Sequence, residues 1–354
     1  MRPFHRQPPD ARTPFSFQWH ITDACDQRCK HCYIYAGAAN RMPARMSWPD
    51  MLTVLDNCLD FCRRYDRRPL FFITGGDPIL RPDFWRLLEH LHRMGIPFVI
   101  LGNPYHIDLK ACRRLKKLGC LRYQLSLDGL AATHDALRRP GSYRETLAAL
   151  ERLNQAGLDS AVMTTVSAAN LAELPAIIDA VVAAGAGVFS FARYCPTGDG
   201  VPGALSPEDY REALSACRVR IRAHLDAGCR TRFDKKDHLW TLLDWEEGRF
   251  RPPEDAPRTV LEGGCHCGID HLTILPDGGV MACRRVPDSR IGSALHDRLA
   301  DLWLRPMDAY RRIDRFERCA GCRLLPWCRG CPAVARATSG SFYAPDPQCW
   351  RVVE

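Results

Sequence analysis

The 354-residue chain has no run of 18 consecutive apolar residues, the length a helix needs to cross a bilayer. Its nearest approach, around 177–191, is rich in Ala and Gly and broken by Asp179, so it reads as a helix running into a strand. The opening residues, Met1-Arg2-Pro3-Phe4-His5-Arg6, hold no apolar stretch of the secretory kind. Internal repeats and low-complexity tracts are missing too. Neither sign of charge dominates: 49 Lys and Arg stand against 41 Asp and Glu, a formal +8. Arg-rich stretches such as 311–318 read as solvated helix faces rather than a nucleic-acid footprint. These absences predict a cytoplasmic chain with no membrane and no nucleic-acid partner.

What the chain has in excess is cysteine, 18 in all. In a reducing compartment so many thiols favour metal ligation over disulfides. Along the chain, strand-like runs at 15–21, 70–74, 97–101, 121–127, 160–166 and 187–191 alternate with amphipathic stretches at 48–63, 82–94, 108–118, 143–156 and 171–184. Six β-α units in sequence predict a parallel α/β sheet, open or curled into a partial barrel, with its active site at the carboxyl ends of the strands. Asp199-Gly200-Val201-Pro202-Gly203 is a turn-rich junction. Ser206 and Pro207 then open a long helix to about 227, and 251–264 is loop-like. From Cys265 the chain is cysteine-dense and short of periodic segments, so it needs staples to fold. The expected divisions are an N-terminal extension (1–14), the α/β body (15–200), a helical bridge (201–264) and a Cys-rich domain (265–354).

Cys25-x3-Cys29-x2-Cys32 follows the first strand and wraps one short loop around one centre. Four thiolates normally hold a 4Fe–4S cluster, so three would leave one iron open. A zinc site completed by His31 is the simpler competitor. Gly75-Gly76-Asp77-Pro78 follows the second strand, where glycines permit close backbone approach and a carboxylate can receive an ammonium group. Asn103 sits in a turn after the third strand. Leu125-Ser126-Leu127-Asp128-Gly129 ends the fourth, followed by His134, Asp135, Arg138 and Arg139. A serine can bond a ribose hydroxyl and an arginine can fork onto a carboxylate.

The three-cysteine loop and the Gly-Gly-Asp-Pro turn together resemble the radical S-adenosylmethionine (radical SAM) superfamily over roughly residues 15–195. The resemblance implies a partial (β/α)6 TIM-like barrel. In it Cys25, Cys29 and Cys32 hold a 4Fe–4S cluster whose open iron chelates SAM. Gly75, Gly76 and Asp77 would match the motif that takes the SAM amino group, with Asp77 in place of Glu. Ser126 and Arg138 would match further SAM contacts, with Arg139 competing for the second role, and Asn103 a polar loop residue near the site. One-electron cleavage of SAM to a 5′-deoxyadenosyl radical, with flavodoxin or ferredoxin as electron donor, is the implied chemistry.

Eight cysteines lie in the last quarter: Cys265, Cys267, Cys283, Cys319, Cys322, Cys328, Cys331 and Cys349. They suffice for two 4Fe–4S clusters or for a two-zinc ribbon. Asp277-Gly278-Gly279 reads as a hairpin turn that brings Cys283 back beside Cys265 and Cys267. The array is similar to the SPASM extension of peptide-modifying radical SAM enzymes, with one spacing, Cys328 to Cys331, a residue short. That resemblance assigns Cys265, Cys267, Cys283 and Cys331 to a first auxiliary cluster, and Cys319, Cys322, Cys328 and Cys349 to a second. Either both of Cys265 and Cys267 ligate or one is free, leaving an open iron. Cys58, Cys62, Cys112, Cys120, Cys217 and Cys229 read as small buried hydrophobes; Cys195, at the end of the sixth strand, faces the expected site.

The function expected from these features is maturation of a ribosomally made precursor peptide, by thioether or carbon–carbon linkage, epimerisation or oxidation. The alternatives are a radical SAM dehydrogenase or tetrapyrrole-modifying enzyme, and a metal-bearing scaffold. Cys25 lies too near the start for an N-terminal peptide-binding module, so a leader would bind the barrel rim, the SPASM-like region or a separate peptide-binding protein. Sulfatase-maturing relatives place Asp directly after the cysteine matching Cys283; here Arg284 stands there, which argues against that oxidation.

Overall fold

In the computed structural model, residues 14–35, 46–196, 205–255 and 261–351 are described. Most of the N-terminal extension and the 199–203 junction lie outside them.

Strand β1 (Phe15–His20) shows how side chains divide. Phe15, Phe17 and Trp19 are buried on one face, while Ser16 and Gln18 point the other way and are half-buried. Period-two alternation sends the first set outward under the helices and the second onto the concave face. Phe15 meets Phe61 of helix α1 (Trp48–Arg64) with ring centroids 4.5 Å apart. Each aromatic so buried contributes roughly 1.5–3 kcal/mol. Helix α1 starts where the sequence signals it. Ser47 accepts from the Asp50 amide, and the Asp50 carboxylate accepts from the Ser47 amide at 2.9 Å, a closed capping box.

The β-α alternation continues through β2 (Pro69–Thr74), α2 (Phe84–Arg93), β3 (Phe98–Leu101), α3 (Leu109–Lys117) and β4 (Cys120–Ser126). Helices α4 (Ala131–Leu137) and α5 (Ser142–Gln155) lead to β5 (Ser160–Val166), α6 (Leu174–Ala183) and β6 (Val188–Arg193). All six expected strands pair in parallel and in chain order. The stretch read as a helical bridge holds α7 (Pro207–Asp226), capped by Ser206 as expected, and α8 (Trp240–Glu246). Between them lies β7 (Arg232–Asp234), a seventh parallel strand beside β6 that the sequence reading did not contain.

At the other end the sheet continues into the Cys-rich region. The expected hairpin is present as β8 (His271–Ile274) and β9 (Gly279–Met281), antiparallel around Gly278, with β10 (Arg290–Ser293) outside. β8 also pairs in parallel with β1, Ser16 opposite His271 and Gln18 opposite Thr273. One sheet, β10-β9-β8-β1-β2-β3-β4-β5-β6-β7, therefore carries both cysteine-bearing regions. Short helices α9 (Leu299–Leu304) and α10 (Pro332–Ser339) and three 3₁₀ turns complete this end. The Arg-rich 311–318 stretch forms 3₁₀ turns rather than a helix face; Arg315 is exposed and Arg312 pairs with Asp314 at the surface, but Arg311 turns inward. Arg311 covers the Trp303 ring at 4.2 Å and donates to the carbonyls of Gly268 and Trp303.

No helix of the described residues is long and apolar enough to cross a membrane.

Candidate active site

The three-cysteine loop leaves the carboxyl end of β1 and is clamped by the loop after β2. Gly76 N–H donates to Thr22 O at 2.9 Å and Asp77 N–H to Ala24 O at 2.8 Å. A Cβ on Gly75 or Gly76 would collide with those same two carbonyl oxygens. The glycines thus permit close approach of the cluster loop itself, a more local reason than the ligand approach read from sequence. Arg81 adds a third tie, donating to Ile21 O at 2.9 Å and Met46 O at 2.7 Å.

Within this frame the three thiols converge. Asn103 Nδ2 donates to Cys25 Sγ at 3.2 Å and to Asp26 Oδ1 at 3.0 Å, so Asn103 stands in direct contact with a cysteine of the loop. Arg138 Nη1 lies 3.8 Å from Cys29 Sγ. Burial pushes the Cys29 thiol up to about 11 against the pull of Arg138, and Cys32 and Cys25 add to the rise. Such sulfurs give up their protons to a metal rather than to water.

Asp128, quoted in the sequence but given no role, organises the far side. Its Oδ2 receives Arg138 Nε at 2.5 Å and lies 3.1 Å from His31 Nε2; its Oδ1 accepts from Thr165 N at 2.8 Å. Burial would raise this carboxyl, but Arg138 and His31 hold it well below the usual carboxylate range. His31 is thereby engaged with a carboxylate. A second relay runs from the Asp128 amide to His134 Nδ1 (2.9 Å), from His134 Nε2 to Ser142 Oγ (3.1 Å), and from Gln27 Nε2 to the same Oγ (3.0 Å). Because Nδ1 accepts, the His134 proton sits on Nε2. Arg139, the competing arginine, stacks on Tyr105 at 4.3 Å. Ser126 ends β4 on the half-buried concave side, opposite Met163 of β5.

Asp77 is fully buried, and burial lifts its carboxyl to about 7. Oδ1 accepts from Asn103 N at 3.5 Å, whereas the buried Oδ2 has no partner. A buried orphan acceptor is costly unless a ligand completes it, and an ammonium group fits.

All 18 cysteines are free thiols. The eight C-terminal ones fall into the two expected fours: Cys267, Cys283 and Cys331 each lie within electrostatic reach of Cys265. Cys319 and Cys328 likewise reach Cys349, which reaches Cys322. Cys195 is buried beside the first four, its thiol donating to Ala333 O at 3.0 Å. Zinc with Zn–S near 2.3 Å would draw its sulfurs to about 3.8 Å of one another. Among the described residues no three thiols come within 4.8 Å of one another. Arg285 Nη2 lies 3.6 Å from Cys331 Sγ, and Arg329 donates to Cys265 O, so cations line the first group.

Beside it, a cavity of about 530 Å³ opens between the segment after β7 and the loops leading into β8. Its lining includes Lys235, Lys236, His238, His266, Glu262 and Asp270.

Comparison with known proteins agrees with this geometry. The radical SAM superfamily profile matches residues 19–181, and that of an iron–sulfur cluster-binding domain, SPASM, matches 265–332. The mycofactocin maturase MftC of Mycobacterium tuberculosis is 30% identical, over 95% of this chain and 83% of its own. The AdoMet-dependent heme synthase of Oleidesulfovibrio alaskensis is 27% identical, over 94% and 86%. Among solved structures, Streptococcus suis SuiB bound to S-adenosylmethionine superposes with a TM-score of 0.73 at 18% identity, covering 96% of this chain and 77% of that one. AnSMEcpe with bound AdoMet gives 0.74 at 17%, covering 95% and 94%. The chain belongs to the radical SAM superfamily. It is a radical SAM enzyme whose cofactors are S-adenosylmethionine and 4Fe–4S clusters, with auxiliary clusters in the SPASM domain.

Proposed function

We propose that the enzyme modifies a ribosomally made precursor peptide by hydrogen-atom abstraction. When bound, the cluster and SAM supply a 5′-deoxyadenosyl radical. In this reading Cys25, Cys29 and Cys32 hold the SAM cluster, and Asn103 steadies Cys25 with its amide. Asp77 receives the SAM amino group on its free Oδ2, Ser126 bonds the ribose, and Arg138, oriented by Asp128, meets the carboxylate. Cys265, Cys267, Cys283 and Cys331 hold the first auxiliary cluster, and Cys319, Cys322, Cys328 and Cys349 the second. A flavodoxin or ferredoxin delivers the electron, and the abundance of free thiols fits a cytoplasmic setting.

The observation that carries the peptide reading is the lateral cavity. Ile269 is the one aliphatic side chain of its described lining, which otherwise consists of charged and polar side chains with two glycines. A peptide backbone can exchange its water hydrogen bonds for these groups. A tetrapyrrole face, several hundred square ångströms of apolar surface, would be desolvated against charge at a loss. SuiB, whose fold this chain shares, has been solved with a precursor peptide. The heme synthases among the relatives favour the tetrapyrrole alternative. The test is anaerobic turnover of the reconstituted enzyme with SAM, offering in turn precursor peptides encoded beside the gene and iron coproporphyrin. A mass change in a peptide supports the proposal; conversion of the porphyrin with no peptide modified overturns it.

A further inference from the structure

Arg284, directly after Cys283, is a cation that makes no ion pair among the described residues. Its guanidinium lies over the Tyr33 ring at 5.0 Å. Tyr33 in turn feels both Cys32 of the SAM loop and Cys283 of the first auxiliary group. Arg284 therefore stands where a substrate must lie if it is to face both centres. Among the described residues it makes no salt bridge, and its buried Nε has no acceptor. Arg285 differs, lying 3.6 Å from Cys331 Sγ, while Arg329 donates to the Cys265 carbonyl beside the same cysteine group.

Arg284 also begins a row of basic side chains running to the cavity. His20, at the end of β1, is next; its Nδ1 is buried without a partner while Nε2 lies 3.3 Å from Gln18 Nε2. Burial, Arg284 and His271 hold His20 well below its ordinary value. His271 follows on β8, pushed down to about 3 by burial and then by Lys236 and His266. Lys236 lines the cavity and makes no ion pair among the described residues. The carboxylates that act on Lys236 have other partners: Asp270 is 2.8 Å from His266 and Asp234 3.0 Å from Arg232. His20 and His271 are thus neutral, and the positive charge on the path from the cavity to the reactive centre rests on Lys236 and Arg284 at its two ends. Leaving the buried Nε of the Arg284 guanidinium unpaired is costly unless an anion completes it.

Building on the peptide reading above, we propose that Arg284 anchors a substrate carboxylate between the SAM site and the first auxiliary cluster, with Lys236 as the second cation on the way in. The substrate is then a peptide presenting an Asp or Glu side chain, or its C-terminal carboxylate, beside the carbon that loses hydrogen. Charge-assisted, bidentate contact with Arg is the suitable chemistry.

The test uses the reconstituted holoenzyme with SAM and anaerobic calorimetry. Three decapeptides differ only in carrying a central Glu with an amidated end, a central Gln with an amidated end, or a central Gln with a free carboxylate. A tetracarboxylate porphyrin and its tetramethyl ester form a fourth comparison. One carboxylate peptide should bind at least about tenfold tighter than the Gln amide. Arg284→Gln should cut that preference below about twofold and Arg284→Lys should keep part of it, with iron content and SAM affinity as controls. The Glu and free-end peptides distinguish the two sources of carboxylate. An Arg284-dependent preference seen only with the porphyrin keeps the anchor and overturns the peptide reading. No preference in any pair, or one that survives Arg284→Gln, overturns the anchor. A role confined to balancing cluster charge would alter iron content or potential and leave carboxylate preference untouched.

Discussion

At the scale of single residues, the site is built from polar atoms held in wait. Asp77 is the clearest case, since its carboxyl is raised to about 7 by burial, with Asp26 adding and the Asn103 amide and His106 opposing. A carboxyl raised on folding costs stability above its unfolded pKa, so without SAM the proton is held up to near neutrality. Binding an ammonium group must displace that proton. SAM affinity should therefore rise as pH climbs through about 7. In Asp77→Asn the rising limb should vanish. Titrating SAM into the reconstituted enzyme across this range checks it, and an unchanged rising limb would place the group elsewhere. Cys25, Cys29 and Cys32 were legible because three thiols in eight residues admit few other uses. Asp128 was not, although it was in view: its partners His31, Arg138 and Thr165 come from three separate segments, and only folding brings them together.

Among the elements, the six β-α units could be read directly because long apolar runs and capped amphipathic helices repeat the same signal. β7 escaped because Arg232-Phe233-Asp234 is three residues long with one apolar side chain, too short for any period to show. The β8–β9 hairpin was visible in its Asp-Gly-Gly turn, but the partnership of β8 with β1 is a non-local pairing that no local pattern encodes. The contact between the β1 and β2 loops is the element on which the SAM cluster depends. Gly76→Ala puts a methyl group into the Ala24 carbonyl, in backbone that cannot retreat without moving the cysteine loop. The variant should lose about four of some 12 irons after reconstitution, together with SAM cleavage. Far-ultraviolet circular dichroism should be unchanged, because the sheet itself is not touched. Full iron with normal SAM cleavage would show that the loop does not rest on the glycine.

For the whole molecule, the continuous sheet means that the barrel and the cluster-bearing end stabilise one another. β8 covers the edge of β1 that would otherwise stand open, and open edges invite aggregation. A second tie lies on the opposite side of the barrel. Arg193, at the end of β6, is fully buried and meets Asp237 at 2.9 Å, Asp346 at 2.5 Å and Gln348 Oε1 at 2.9 Å. Asp346 Oδ2 also accepts from the Cys331 amide at 2.6 Å, and Asp346 lies within electrostatic reach of Cys349. One guanidinium thus joins the barrel to both auxiliary cysteine groups. Arg193→Leu would strand two buried carboxylates, a loss of the order of 3–5 kcal/mol. Asp346 would then turn toward water and take the Cys331 amide with it. The variant should unfold at a clearly lower temperature and retain fewer than about 12 irons, the deficit falling on the auxiliary clusters. SAM binding should persist, because Cys25 and Cys29 are held by Asn103 and Arg138, neither of which belongs to the network. Mössbauer counting of the clusters beside SAM titration separates the two outcomes. A variant with all its iron and unchanged melting would mean that the hairpin on β1 alone docks the cluster domain.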